Sequence, residues 1–411
     1  MREMKDSGIE WIGTIPFDWK CCKQKYEIQL INGRAYSDSE FEEDGKYRIL
    51  RVGNLFSNPT WYTSSLELPP DKYCENGDLL YSWSMSYAPV IWSGEKVIYH
   101  YHIWKTKLSS NLNKKFAYYY LSALTDALKA KIHETTMGFI TMGVMNNSYI
   151  AFPCLKEQEI IVSFLDSKCS EIDAISADIQ KEIEILEQYK RSVITEAVTK
   201  GLNPDVEMKD SGVPWIGKMP ANWTCIKGKY ILKYMQKPVK TDDGVITCFR
   251  DGEVTLRSNR REDGFTMADK EIGYQGIDVG DLVVHGMDGF AGAIGISDSR
   301  GKASPVLNVL DSRQNKKYIM YYLRSMAYGD VFAALATGIR VRSCDLRWNK
   351  LSVLLYPVPP LEEQAEIVQY IEDTLNKVNG VISEKKQQLT VIDSYKKSLI
   401  YEYVTGKKEA L

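Results

Sequence analysis

Residues Met4–Trp19 (MKDSGIEWIGTIPFDW) return 204 positions later as Met208–Trp223 (MKDSGVPWIGKMPANW), with ten of sixteen positions identical. A second set repeats at an offset of 206: Leu155-Lys-Glu-Gln158 with Leu361-Glu-Glu-Gln364, and Tyr189-Lys-Arg-Ser192 with Tyr395-Lys-Lys-Ser398. A period this long excludes a solenoid, whose units run roughly 20–50 residues. The chain is a duplicated domain, so any fold assigned to one copy must also suit the other. Its 411 residues leave room for two to three domains of ordinary size.

Each copy runs in the same order: a DSG-x-x-WIG-x-x-P-x-x-W opening, a variable stretch, then a long helical pattern. The variable stretches match in length but not in sequence, as expected of one frame presenting two different surfaces. In the first long pattern Leu165, Ile172, Ile179, Leu186 and Val193 recur every seven residues, with Ile161, Ile175 and Tyr189 interleaved. That spacing predicts a coiled-coil seam. The 206 offset carries it to Ile371, Val378, Lys385, Ile392 and Leu399, with Ile367, Val381 and Tyr395 alongside; Lys385 interrupts it. Helices this long rarely stand alone in water, so each is expected to pair with the other, intermolecular pairing being the second choice. Pro153 and Pro357-Val-Pro359-Pro360 lie upstream, where helices have not yet begun.

The variable stretches read as mixed α/β. Lys46–Val52, Gly77–Trp83 and Asp281–His285 read as strands, and Lys115–Ile132 and Lys317–Leu335 as helices. The fold class is therefore α/β (α+β): two globular domains separated by two long helices pairing as an antiparallel coiled coil, with an internal pseudo-twofold duplication. The expected boundaries are 1–154 for the first globular domain, 155–200 for the central helix and 201–207 for a linker. The second globular domain takes 208–360 and the C-terminal helix 361–411.

A net charge of −2 argues against a nucleic-acid binder until it is divided by segment. Residues 20–154 carry 15 Lys+Arg against 13 Asp+Glu, and 224–357 carry 20 against 15. The helical segments reverse the sign, with 6 against 10 in 155–200 and 7 against 9 in 361–411. Positive charge thus collects in the variable stretches, a modest footprint for phosphate. No apolar run reaches the roughly 18–20 residues of a membrane span, and the N-terminus lacks the apolar core of a secretory signal. The eight cysteines form no CxxC pair and read as reduced thiols of a cytoplasmic protein.

Catalytic and cofactor motifs are missing. Gly289-Phe-Ala-Gly292-Ala-Ile-Gly295 has the wrong spacing for a dinucleotide fingerprint, and Gly295 to Gly301-Lys302 misses the phosphate-loop spacing by one. Asn58-Pro59-Thr60-Trp61 has Thr where an amino-methyltransferase tetrad has its second proline. The four histidines (100, 102, 133, 285) have no metal-site spacing. The chain is expected to be no enzyme by itself and to carry no metal.

The paired openings, the two helix starts, the two long helices and the Gly-Asp segments (Gly77-Asp78-Leu79-Leu80; Gly280-Asp281-Leu282-Val283) together resemble the specificity (S) subunit of type I restriction–modification enzymes. The resemblance covers essentially the whole chain, with one small departure: Cys154 precedes Leu155 where Pro360 precedes Leu361. It implies two target-recognition domains, each reading one half of a bipartite, asymmetric site in double-stranded DNA. It implies that the helices set the spacing and dock methylation (M) subunits, two of them, and through them restriction (R) subunits. S-adenosylmethionine, ATP and Mg would then belong to the partners, within a complex having adenine-DNA methyltransferase and ATP-dependent endonuclease activity. Two other readings stay open: a protein-only coiled-coil adaptor, and the recognition subunit of a related fused-type restriction system.

Bases are read by Arg, Lys, Asn, Gln and carboxylates at groove edges. In the second domain the candidates are Arg250, Arg257, Asn259, Arg260 and Arg261, the turn bearing His285 and Asp288, and Arg340 and Arg342. Arg342→Ala is expected to weaken only the second half-site. In the first domain the candidates are Arg48, Arg51, Asn54, Trp83, Ser84 and Tyr87, with Thr141 and Asn146 in a segment free of Arg and Lys. A solvated surface loop is the bland alternative for each basic run, and core packing for Trp83 and Tyr87.

Overall fold

The computed structural model describes residues 2–84, 86–134, 140–260, 272–335 and 346–410. The chain divides into two compact units, Met1–Ile179 with Gln387–Leu411, and Gln180–Lys386. Each unit holds one globular module and a part of each long helix.

In the first unit, strands Ile28–Asn32, Ile103–Leu108, Leu79–Ser82 and Ala88–Ile91 lie in that order in one antiparallel sheet. The second unit repeats the order with Leu232–Met235, Leu307–Ser312, Leu282–His285 and Ile294–Ile296. The Gly-Asp segments prepare the third strand of each sheet. Gly77 (φ 86°) and Gly280 (φ 85°) turn the chain in the left-handed region. The next carboxylate then accepts the backbone N–H three residues back, 2.8 Å from Glu75 N to Asp78 and 2.8 Å from Asp278 N to Asp281. Lys105 and Lys237 neutralise the two carboxylates at 2.6 Å each.

A helix covers each sheet, Lys114–Glu134 in the first unit and Lys316–Tyr328 in the second. The second stops earlier than the apolar pattern suggests. Asp330 adopts φ 54°, and only the short helix Val331–Ala334 follows. Asn113 and Asn315 cap these helices; Asn315 Oδ1 accepts the N–H groups of Lys317 and Tyr318.

The repeated Glu-Gln pair is the joint between module and long helix. Gln158 and Gln364 are fully buried. Gln158 Oε1 accepts the Asn113 N–H at 2.8 Å, and its amide donates to the Asn111 and Pro153 carbonyls. Gln364 does the same with the Asn315 N–H at 2.9 Å, Gln314 Oε1 and the Pro359 carbonyl. The preceding glutamates accept indole N–H groups from the opening motif, Trp19 to Glu157 at 3.2 Å and Trp223 to Glu363 at 3.0 Å. Trp19 and Trp223 are buried in their respective cores, so the opening motif is packing machinery.

The long helices are Leu155–Lys200 and Leu361–Val404, the first of 46 residues and about 69 Å in length. In the first unit Phe164 stacks on Tyr403 and Asp173 pairs with Lys396 at 2.6 Å, so the numbering runs antiparallel. In the second unit Glu182 pairs with Lys385 at 2.5 Å.

Of the seam positions expected from the heptads, Leu165, Ile172, Ile179, Val193, Ile371, Val378 and Leu399 are buried, while Leu186 and Ile392 are half-buried. The interleaved set is a correction. Ile161 and Ile367 are buried, but Ile175, Tyr189, Val381 and Tyr395 are exposed. The buried companions lie four residues after five of the heptad positions instead: Cys169, Ile183, Ala197, Ile382 and Tyr403. Positions three and four apart flank the same stripe from opposite sides, and the apolar Leu375, Ile382 and Leu389 mark the side that packs.

Most of the exposed large apolar residues on these helices obey the 206 repeat, Ile160 and Tyr370 being exceptions. Leu155 and Leu361, Ile175 and Val381, Ile185 and Val391, and Tyr189 and Tyr395 are four related pairs, each member 42–67 % exposed.

Candidate nucleic-acid interface

The second module gathers its candidates into one cleft of about 610 Å³, lined by Arg250, Arg257, Arg260, His285 and Asp288 among others. Its base is apolar, with Cys248 buried and the Arg260 guanidinium 4.2 Å from the Phe249 ring centre. Every cation there has a counter-charge or acceptor. Arg250 pairs with Asp288 at 2.8 Å, Arg260 with Asp251 at 2.6 Å and Glu253 at 3.0 Å, and Arg257 Nε donates to Thr247 Oγ1 at 3.3 Å. These contacts fix the direction of flexible side chains without burying them, since Arg250 stays 62 % exposed.

His285 shapes the turn that carries Asp288. Its Nδ1 accepts the N–H groups of Met287 (3.2 Å) and Asp288 (2.9 Å). Burial holds its pKa below the ordinary histidine value, which keeps the ring neutral and able to accept. Asn259 donates to Thr255 Oγ1 at 2.9 Å, so its amide holds the strand-to-loop corner. Guanidinium donors and a carboxylate acceptor on one rim supply both halves of the hydrogen-bonding code on major-groove base edges. Arg261, Arg340 and Arg342 lie outside the described residues.

Arg324 is a member that sequence reasoning missed. It lies on the covering helix, donates to the Asp251 carbonyl at 2.7 Å and to Tyr328 Oη at 2.9 Å, and so props the turn that orients Arg260. Gly252 in that turn has φ 91° and no space for a side chain beside Arg324. The Asp251-Gly252 pair was the available turn signal; nothing local pointed to a residue 73 positions away.

The first module is built differently. Arg48 and Arg51 leave one exposed strand end, with guanidinium carbons 5.6 Å from the Trp61 ring centre and 5.0 Å from that of Tyr62. Arg48 also pairs with Glu95 at 3.3 Å. Trp83 stacks on buried Trp104 (5.7 Å, 15°) and donates its indole N–H to the Tyr101 carbonyl at 2.8 Å. His102, Tyr101 and His100 continue this aromatic group, and burial first, then His102 and Arg51, depresses the His100 pKa to about 4.

Asn54 is committed to its own loop, accepting the Arg51 N–H and donating to the Asn58 and Thr60 carbonyls. Ser84 and Tyr87 are half-buried, Tyr87 against the core. Thr141 caps the helix Met142–Asn147, which also carries half-buried Asn146. His100, His102 and Tyr101 were not among the expected residues; their alternation along one short stretch was the signal.

Duplicated α+β modules, each with its own sheet, covering helix and divergent polar rim, define a class of two-headed recognition proteins with paired long helices. Residues 16–185 match the family model described as the type I restriction modification DNA specificity domain. The chain is 22 % identical to the type I restriction enzyme EcoBI specificity subunit of Escherichia coli, over all of this chain and 90 % of that one. It is 24 % identical to the MjaVIII specificity subunit of Methanocaldococcus jannaschii, over 96 % of this chain and 93 % of that one. A solved chain described under complex assembly and conformational transition of the type I R-M system shares the fold. Its TM-score is 0.63 at 13 % identity, over 96 % of this chain and 99 % of that one. Over essentially its whole length the chain is thus similar to specificity subunits of type I restriction enzymes, and residues 16–185 match the specificity-domain model. Among the described residues no helix is long and apolar enough to cross a membrane.

Proposed function

We propose that each module reads one half of a bipartite, asymmetric site in double-stranded DNA. The observation that carries this is the contrast between a frame repeated down to single hydrogen bonds and two rims that share almost nothing. Divergence of the rims removes the palindrome that a symmetric two-headed reader would require. The first module meets DNA with Arg48, Arg51 and the exposed rim of its aromatic group, the second with Arg250, Arg257, Arg260 and Asp288. Arg261, Arg340 and Arg342 extend the second set, and Thr141 and Asn146 the first.

The long helices fix the gap between half-sites and dock the methylation subunits, two of them. The four repeat-related exposed apolar pairs support this reading, because identical unpartnered positions on both helices suit the same partner bound twice. Restriction subunits join through that complex. S-adenosylmethionine, ATP and Mg belong to the partner subunits, and this chain catalyses no step itself.

The test is co-expression with a cognate methylation subunit, followed by mapping of methylated adenines by long-read sequencing. A split motif with a fixed gap, lost when this chain is omitted, is the expected result. Methylation indifferent to this chain despite a stable complex would favour a protein-only adaptor.

A further inference from the structure

Past Trp19 and Trp223 the copies keep one more surface feature before they diverge. Lys23-Gln-Lys25-Tyr26 corresponds to Lys227-Gly-Lys229-Tyr230. Tyr26 is 68 % exposed and Tyr230 72 %. Each ring is touched by the lysine before it, with Lys25 Nζ 5.2 Å and Lys229 Nζ 4.9 Å from the ring centres. Packing explains why buried residues persist in both copies; it gives no reason for exposed ones to persist.

The turn is held alike in both units, by the Gln24 N–H on the Ser148 carbonyl (2.7 Å) and the Gly228 N–H on the Leu354 carbonyl (2.9 Å). Some lysines elsewhere in the modules sit beside carboxylates, as Lys96 does with Glu75 and Lys316 with Asp311, while others such as Lys107 and Lys233 do not. Lys25, Lys227 and Lys229 form no ion pair with a described residue. The first turn also adjoins a segment carrying candidate DNA contacts. Lys23 Nζ donates to Asn147 Oδ1 at 3.4 Å, at the end of the helix that Thr141 caps. The Lys229 N–H donates to the Ser352 carbonyl at 2.8 Å, just past the short helix Trp348–Leu351.

We propose that Lys25-Tyr26 and Lys229-Tyr230 are repeated anchors on the DNA backbone, one beside each half-site. The inference rests on the DNA-reading function above. Surfaces that diverge suit half-sites that differ; a surface retained in both copies suits what the half-sites share, which is phosphate. A protein partner bound twice is also shared, but unneutralised lysines with a phenol hydroxyl match a polyanion. The acidic and apolar helix faces suit a protein.

The test measures binding of the full chain, complexed with its methylation subunits, to a duplex bearing the mapped site and to a random duplex over a range of salt. Lys25→Ala and Lys229→Ala are each expected to reduce the slope of log K against log salt by about 0.9, equally on both duplexes. The methylated sequence stays the same, Tyr26→Ala and Tyr230→Ala weaken both duplexes alike, and Lys25→Arg with Lys229→Arg keeps the slope. Unchanged DNA binding in the alanine variants overturns the inference, whether or not capture of the methylation subunit is lost. So does a loss confined to one half-site, or one that arginine does not restore. A wild-type complex with no preference for the mapped duplex defeats the functional reading and this inference with it; wild-type preference with unaltered variant slopes defeats this inference alone.

Discussion

Single residues carry the joints of this molecule. Gln158 and Gln364 each satisfy three buried or half-buried backbone and side-chain groups where a module meets a long helix. Replacing Gln158 by leucine leaves those groups unpaired and is expected to cost about 2–3 kcal/mol, read by chemical denaturation. His100 supplies a pH dependence. Its folded pKa lies near 4, below the ordinary value, so the folded state binds fewer protons. Stability from this group is therefore complete above about pH 6.5 and is lost as pH falls toward 4. His100→Gln should flatten the fall in melting temperature across that window; an unaltered profile would assign the acid sensitivity elsewhere. On the rim, Arg250→Ala should weaken only the second half-site, by roughly 1–3 kcal/mol if the guanidinium meets a base edge. Competition binding with each half-site scrambled in turn reads this, and equal loss on random DNA would make Arg250 a phosphate contact.

At the scale of elements, the heptads located both long helices, and only the packing showed which flank of the stripe closes. Ile183 is buried and Ile175 half exposed, although both sit beside the same seven-residue ladder. Ile183→Ala is expected to destabilise by about 2–4 kcal/mol, against under about 0.5 kcal/mol for Ile175→Ala. Similar losses in thermal melts of the two variants would refute the packing described. Ile175→Ala should instead weaken capture of the methylation subunit. The covering helices were legible from their apolar pattern, and the break at Gly329-Asp330 was not, because Asp330 takes a left-handed conformation that composition does not announce.

For the whole molecule the prediction concerns the gap. Each long helix passes from one compact unit to the other, after Ile179 in the first and after Lys386 in the second. Inserting one heptad at both points preserves the seam and lengthens each helix by about 10 Å. The methylome of that variant is expected to show both half-sites unchanged and a longer gap between them. Altered half-sites with the original gap would remove the helices from any measuring role.

Sequence by itself determined the duplication, the two long helices, the mixed modules and the family resemblance, because repeats and periodicity are written along the chain. It also singled out Arg250, Arg257, Arg260, His285 and Asp288 as separate candidates. Only the tertiary structure brought those five to one cleft, added Arg324 beneath it, and turned Asn54 and Asn259 toward their own loops. The same step made Glu157 and Glu363 partners of buried indoles. Local pattern encodes which face of an element is apolar. Which distant side chain completes a polar group's hydrogen bonds is decided when sheets, turns and helices meet, and no periodicity records it.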